Sequence, residues 1–203
     1  MKKTILALAA VLALTLVSAA FAAVITGTPA NDNLKGTDGD DQISAQAGND
    51  KVNGRAGNDT LDGDEGNDRL NGGKGNDELN GGTGNDRLKG DAGNDQLNGD
   101  EGDDRLDGGK GDDELNGGDG NDRLKGGRGA DELNGGDGAD RIDARGGKKD
   151  GSDTIDCGAG DGVVDVVRAD RGDTIVNCGP EDKVRVSGRH HPHQSEQHGR
   201  SNR

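Results

Sequence analysis

Gly72–Lys89 reads GGKGNDELN-GGTGNDRLK, two copies of one nine-residue unit laid end to end. Glycine holds the first, second and fourth places of each copy, aspartate the sixth (Asp77, Asp86) and leucine the eighth (Leu79, Leu88). Outward from this pair the aspartate returns every nine residues without a slip, at Asp32, Asp41, Asp50, Asp59, Asp68, Asp77, Asp86, Asp95, Asp104, Asp113, Asp122, Asp131 and Asp140. An aliphatic stands two places after each, from Leu34 through Ile43 and Val52 to Ile142. A glycine stands two places before each from Asp41 onward, and Ala30 takes that place ahead of Asp32.

The unit has a direct physical reading. Residues flanking an aliphatic on both sides alternate out-in-out, as a very short strand does. One aliphatic per nine residues makes no core by itself, but stacked coils add their aliphatics to one continuous inner row. The glycine-rich remainder turns tightly because glycine accepts positive φ. Where the second glycine is replaced, Asp64, Asp91 and Asp100 suit the left-handed region. Gln46 and Arg55 suit it less, which predicts looser turns there. A longer period overlies the short one. Arg69, Arg87, Arg105, Arg123 and Arg141 are spaced by 18, and Glu78, Gln96, Glu114 and Glu132 lie half a period out. One coil is therefore two nonapeptides, with successive strands on opposite sheets. The basic series then shares one face with Lys89 and Lys125, and Asn80, Asn98, Asn116 and Asn134 stack amide to amide on the other.

Gly-Gly-x-Gly-x-Asp-x-aliphatic-x, repeated thirteen times over Gly27–Asp143, resembles the repeats-in-toxin (RTX) family of haemolysin-type calcium-binding repeats. The resemblance implies an all-β fold: a right-handed parallel β-roll, a β-solenoid of nonapeptide repeats with two repeats per coil. It implies calcium held between turns one coil apart by the thirteen aspartates Asp32–Asp140 and by turn carbonyls. The physics agrees. Stacked aspartates lie about 4.8 Å apart, where unit charges repel by ~1 kcal/mol in water and more where solvent is excluded. A hard divalent cation removes that repulsion, and magnesium's demand for a tight octahedron makes it the poorer fit. Six gaps in one row and five in the other set an upper bound of about eleven calcium ions.

Four segments are expected. Residues 1–22 read as a signal peptide: Lys2 and Lys3, an apolar run from Ile5 to Val17 that is short for a membrane span, and Ala20-Phe21-Ala22 before a cut at Ala23. Residues 23–143 form the roll. Residues 144–187 read as degenerate coils making a C-terminal cap, with Asp153-Thr154-Ile155, then Gly162 in the aspartate place and Val164 inward, then Asp173 and Asp182. Residues 188–203, with His190, His191, His193 and His198, read as a disordered polar tail. Cys157 and Cys178 each follow a strand unit, and in an exported chain such a pair is expected to form one disulfide.

Composition bounds the function. The chain has 203 residues, 40 of them glycine, one phenylalanine and no tryptophan or tyrosine, too little bulk for an ordinary globular core. A net charge of −15 disfavours nucleic acid and anionic membrane as partners of the whole molecule and favours cations. No nucleophile, base and acid can be placed together on the repeats, so no enzyme is expected. The expected role is a secreted, extracellular structural or interaction module. Its partners are calcium and, through the basic stripe, a cell-envelope or matrix polyanion or another molecule's acidic face. The alternative is an ice-binding or other surface-adhesion roll, but the third repeat place offers Thr83 among Asp, Ala, Glu, Lys and Arg, not a threonine array.

Overall fold

Each x-aliphatic-x unit is a strand, and in most repeats the strand runs on through the two following glycines, as in Arg69–Lys74 and Glu78–Thr83. The structure, a computed structural model, describes residues 21–146, 151–158 and 165–187. The described residues form eighteen strands and no helix. Odd-numbered strands in chain order make one nine-stranded parallel sheet and even-numbered strands another. Each coil therefore runs out along one sheet and back along the other, two nonapeptides to a turn, as the 18-residue period predicts.

Parallel pairing is in register, so like residues stack on like. Leu79 pairs beside Leu97 and Leu97 beside Leu115 on one sheet, Leu88 beside Leu106 and Leu106 beside Leu124 on the other. The aliphatics from Ile43 to Ile142, with Ile155 and Val167, are fully buried and form one continuous core between the sheets. On the outside, Asn116 donates to Asn98 at 2.8 Å and Asn134 to Asn116 at 3.2 Å, the amide ladder expected there, whereas Asn80 donates to Asp62.

The turns correct one expectation. Arg55 takes φ +87°, close to Asp64 (+69°) and Asp91 (+77°), and its strand Lys51–Ala56 keeps register with Arg69–Lys74. Its turn is no looser than the others, because the side chain is exposed and the pairing of Arg55 with Gly73 on the next coil holds the backbone. At Gln46 (φ +74°) the strand Gln42–Ser44 does stop short of the turn.

The ends differ more. A strand at Val24–Thr26 precedes the first expected repeat, with Ile25 beside Ile43 and Ala23 in the aspartate place. After Asp143 both sheets continue through Thr154–Asp156, Val166–Ala169, Thr174–Val176 and Lys183–Val186. Gly162 and Val164 lie outside the described residues, and their expected places belong to Asp165 and Val167, since Val167 pairs with Ile142. The extra residues fall before Asp165 and so shift the register that periodic counting projects. Cys157 and Cys178 form a disulfide with Cα atoms 5.1 Å apart, within the bridged window. It ties neighbouring strands Thr154–Asp156 and Thr174–Val176 where the coils depart from 18 residues.

Closing a loop of this size is worth ~3 kcal/mol. Replacing Cys157 and Cys178 together by serine is expected to raise hydrogen exchange in the last two coils by about two orders of magnitude and to leave amides near Leu97 unchanged. Equal acceleration along the whole roll would contradict a local role.

Candidate metal centre

The aspartate closes each turn, one residue ahead of a strand whose aliphatic is locked in the core. That neighbour fixes the direction of the carboxylate. The twelve aspartates from Asp41 to Asp140 are 2 % exposed or less, and Asp32 is half-buried. They stand in two rows, one along each edge of the roll, with successive members one coil apart.

Within each row the backbone N–H of one aspartate donates to Oδ1 of the aspartate one coil on. Asp77 donates to Asp95 and Asp95 to Asp113, each at 2.9 Å, and Asp86 to Asp104 at 2.7 Å. Oδ1 is thereby satisfied. From Asp50 to Asp122, Oδ2 of every member is buried with no hydrogen-bond partner. A buried carboxylate oxygen without a partner costs free energy that a native structure rarely leaves uncompensated.

From Asp59 onward each such oxygen faces the bare Cα of the first glycine of its repeat. A Cβ built on Gly90 would lie 2.2 Å from Asp95 Oδ2 and 2.7 Å from the carbonyl oxygen of Gly108. Built on Gly117 it would lie 2.3 Å from both Asp122 Oδ2 and the Gly135 carbonyl. The space exists because glycine leaves it. It is lined by a carboxylate oxygen and a carbonyl oxygen, the hard donors that calcium takes. Ahead of Asp50 the corresponding residue is Ala45, whose methyl takes that place; Gly36 offers Asp41 the same lining, and glycine cradles with a partnerless Oδ2 run from Gly54–Asp59 to Gly117–Asp122.

The rows end differently from their middles. Asp32 Oδ2 accepts from the N–H and hydroxyl of Thr28, and Asp41 Oδ2 from those of Thr37. At the far end Asp170 N–H donates to Asp173 Oδ2, and Gly179 N–H to Asp182 Oδ2, both at 2.5 Å. Local donors thus close both rows at both ends. Asp153 and Asp165 extend the rows, accepting from Asp131 and Asp140 at 2.8 Å.

Sequence reasoning overlooked a second ladder. The residue before the aspartate accepts, through its side-chain oxygen, the backbone N–H of its counterpart one coil on. Asn76 donates to Asn58 and Asn94 to Asn76, at 2.8 and 2.9 Å. Its signal was present, because that place is Asn or Asp in all but the last two of the thirteen repeats.

Burial lifts these carboxyls out of the usual carboxylate range, the N–H donated from the preceding coil opposes the rise, and charged aspartates nearby add to it. Asp59, Asp68, Asp77 and Asp122 are pushed up to about 6 and Asp104 and Asp113 to about 7; Asp86 and Asp95 are raised as well.

Comparison with protein families matches the RTX calcium-binding nonapeptide repeat over residues 26–61, 55–88, 62–97, 80–115 and 116–148, more than half of the chain. This chain belongs to that family. A search of curated proteins returns no match. The RTX repeat is a calcium-binding structural unit, and an acidic, oxygen-lined cradle recurring coil after coil is what such a unit presents.

Two outcomes follow for the RTX rows. Gly90→Ala and Asp95→Ala are each expected to raise the calcium midpoint of folding by about tenfold, or ~1.4 kcal/mol. Asp32→Ala should shift it by less than about twofold, because Asp32 ends its row. Isothermal titration of the three variants checks this. The second outcome concerns pH. With folded values raised above the unfolded 3.8, the metal-free roll holds protons that the unfolded chain has released. That contribution is complete below about 4 and is lost as pH rises through 6 to 7. Calcium must displace the same protons, so its apparent affinity should fall steadily between about pH 7.5 and 5.5. A calcium midpoint flat across that range would contradict the assignment.

Proposed function

We propose that this chain is a secreted protein that folds on binding calcium and serves outside the cell as a structural or interaction module. The observation that carries the reading is the partnerless buried Oδ2 of every aspartate of the series from Asp59 to Asp122, each facing a space that a glycine leaves open. The thirteen aspartates Asp32–Asp140 are the proposed ligand series, for at most about eleven calcium ions, with the cradles from Asp59 to Asp122 binding most tightly.

The need for the ion follows from what the coil lacks. One buried aliphatic per nine residues does not offset roughly 1–2 kcal/mol of backbone entropy per ordered residue. Without calcium, stacked carboxylates oppose the coil as well. Binding energy then supplies folding energy, as in other metal-coupled domains. Coupling between neighbouring coils makes the transition cooperative.

Export fits the same logic. Scarce calcium in the cytosol keeps the precursor unfolded for passage, and abundant calcium outside folds it. A signal peptide over residues 1–22 would leave Ala23 as the first residue. Its nitrogen lies 2.6 Å from Asp41 Oδ1, so cleavage there would place a new ammonium at the head of a carboxylate row. Residues 23–143 are then the roll, 144–187 its cap, and 188–203 a polar tail. No described helix is long and apolar enough to cross a membrane. The basic sheet is the surface that would meet an anionic partner, whether a cell-envelope or matrix polyanion or another molecule's acidic face.

Tag-free residues 23–203, titrated from excess chelator to millimolar calcium, are expected to pass from a disordered to a β circular-dichroism spectrum in one cooperative step. A β spectrum already complete in chelator, unresponsive to calcium, would end this reading.

A further inference from the structure

The two sheets present faces of opposite charge. On the sheet containing Arg69–Lys74, the six-residue strands of the next three coils begin and end with Arg87 and Ala92, Arg105 and Lys110, Arg123 and Arg128, all exposed except the half-buried Ala92. On the opposite sheet the same places are Glu78 and Thr83, Gln96 and Glu101, Glu114 and Asp119, Glu132 and Asp137. The strands of that sheet from Gln42 to Asp156 contain no lysine or arginine. Ion pairs among the described residues join Lys89 to Asp91, Lys125 to Asp107, and Arg145 and Arg168 to Asp143. The residues at the ends of the basic strands take no part in them. Like charges therefore stack at strand spacing along each face; Asp91 near Lys110 and Asp103 near Arg123 offset part of that repulsion, and an outside partner of opposite charge would relieve the rest.

The pattern specifies the partner. Strands on the two faces run in opposed directions, because each coil goes out along one sheet and returns along the other. When one roll is shifted sideways onto the next, its basic sheet covers an acidic sheet, and the first residue of each basic strand meets the last residue of an acidic one. Setting each basic strand over the strand that follows it in sequence brings Arg87 to Glu101, Arg105 to Asp119 and Arg123 to Asp137. At the other strand ends Lys74 meets Glu78, Lys110 meets Glu114 and Arg128 meets Glu132. Between Arg69 and Arg128 the one uncharged strand-end residue of the basic series, Ala92, falls on the uncharged Gln96. Arg69 meets Thr83, and no pair is of like charge. Both ladders advance by one rung per coil, so the match holds without drift along the roll. A polyanion has a repeat of its own and no reason to share that step.

We propose that the calcium-loaded roll binds further copies of itself side by side, basic sheet on acidic sheet, with axes parallel. The contact is heterologous and does not close, so it builds an open lateral array. Each exposed pair is weak alone, and the assembly depends on the ladder and on low salt. The proposal rests on the calcium-binding reading only in needing a folded roll.

Sedimentation velocity of residues 23–203 in calcium tests it, with circular dichroism on the same samples. At about 20 mM salt the mean size should grow with concentration without stopping at a dimer, and at about 0.5 M salt it should fall to monomer. Arg105→Glu with Arg123→Glu, and separately Asp119→Arg with Asp137→Arg, should each abolish growth, and an equimolar mixture of the two variants should restore it. The milder Arg105→Gln with Arg123→Gln serves if the reversal fails to fold. Folded parent that stays monomeric at low salt overturns the proposal, and so does growth unaffected by the reversals. Monomeric parent that binds polyphosphate beads overturns it in favour of a polyanion partner. Assembly without a calcium response would sink the calcium-folding reading and leave the docking surface standing.

Discussion

Carboxylates stacked one coil apart, buried and of like charge, are the constraint on which the rest of this roll depends. Two nine-residue units to the coil deliver every second aspartate to the same edge, and the in-register sheets hold them there. Half of each carboxylate is answered from within the chain, by an aspartate N–H one coil away. The other half, from Asp50 to Asp122, is not. The first glycine of each repeat keeps open the space into which that oxygen points. Glycine here does more than allow a turn: its missing Cβ keeps an oxygen-lined space open beside the carboxylate, and Ala45 marks where that space closes.

The core and the ends follow from the same economy of residues. A single row of aliphatics between two sheets excludes water but has little cross-section, so each coil depends on its neighbours. A stack of this kind is weakest where neighbours run out. The chain treats its ends accordingly, with Thr28 and Thr37 donating to the first carboxylates, Asp170 and Gly179 donating to the last, and a disulfide joining strands where coil length varies. Neutral local donors satisfy the carboxylates at the positions that have a neighbour on one side only.

The 18-residue period turns a duplicated sequence into an electrical property. Two nonapeptides to the coil send alternate repeats to opposite sheets, so an alternation of basic and acidic residues along the chain becomes a separation of charge across the roll.

Much was legible in the sequence because a repeat makes local spacing and spatial neighbourhood the same thing. Nine residues from Asp77 to Asp86 fix the turn, eighteen from Leu79 to Leu97 fix the strand pair, and the rows, the two sheets, the buried aliphatics and the Cys157–Cys178 pairing follow by counting. Counting fails where lengths change. Asp165 and Val167, not Gly162 and Val164, continue the rows, because register there is set by the N–H of Asp140 and the side chain of Ile142 waiting on the previous coil. The strand at Val24–Thr26 escaped notice because Ala23 carries no carboxylate to count. Sequence also gave all thirteen aspartates one role. Only the folded chain separated Asp32 and Asp41, whose Oδ2 a threonine already satisfies, from Asp59 to Asp122, whose Oδ2 faces an open glycine cradle, since that difference lies in which donors the coil brings within hydrogen-bond reach.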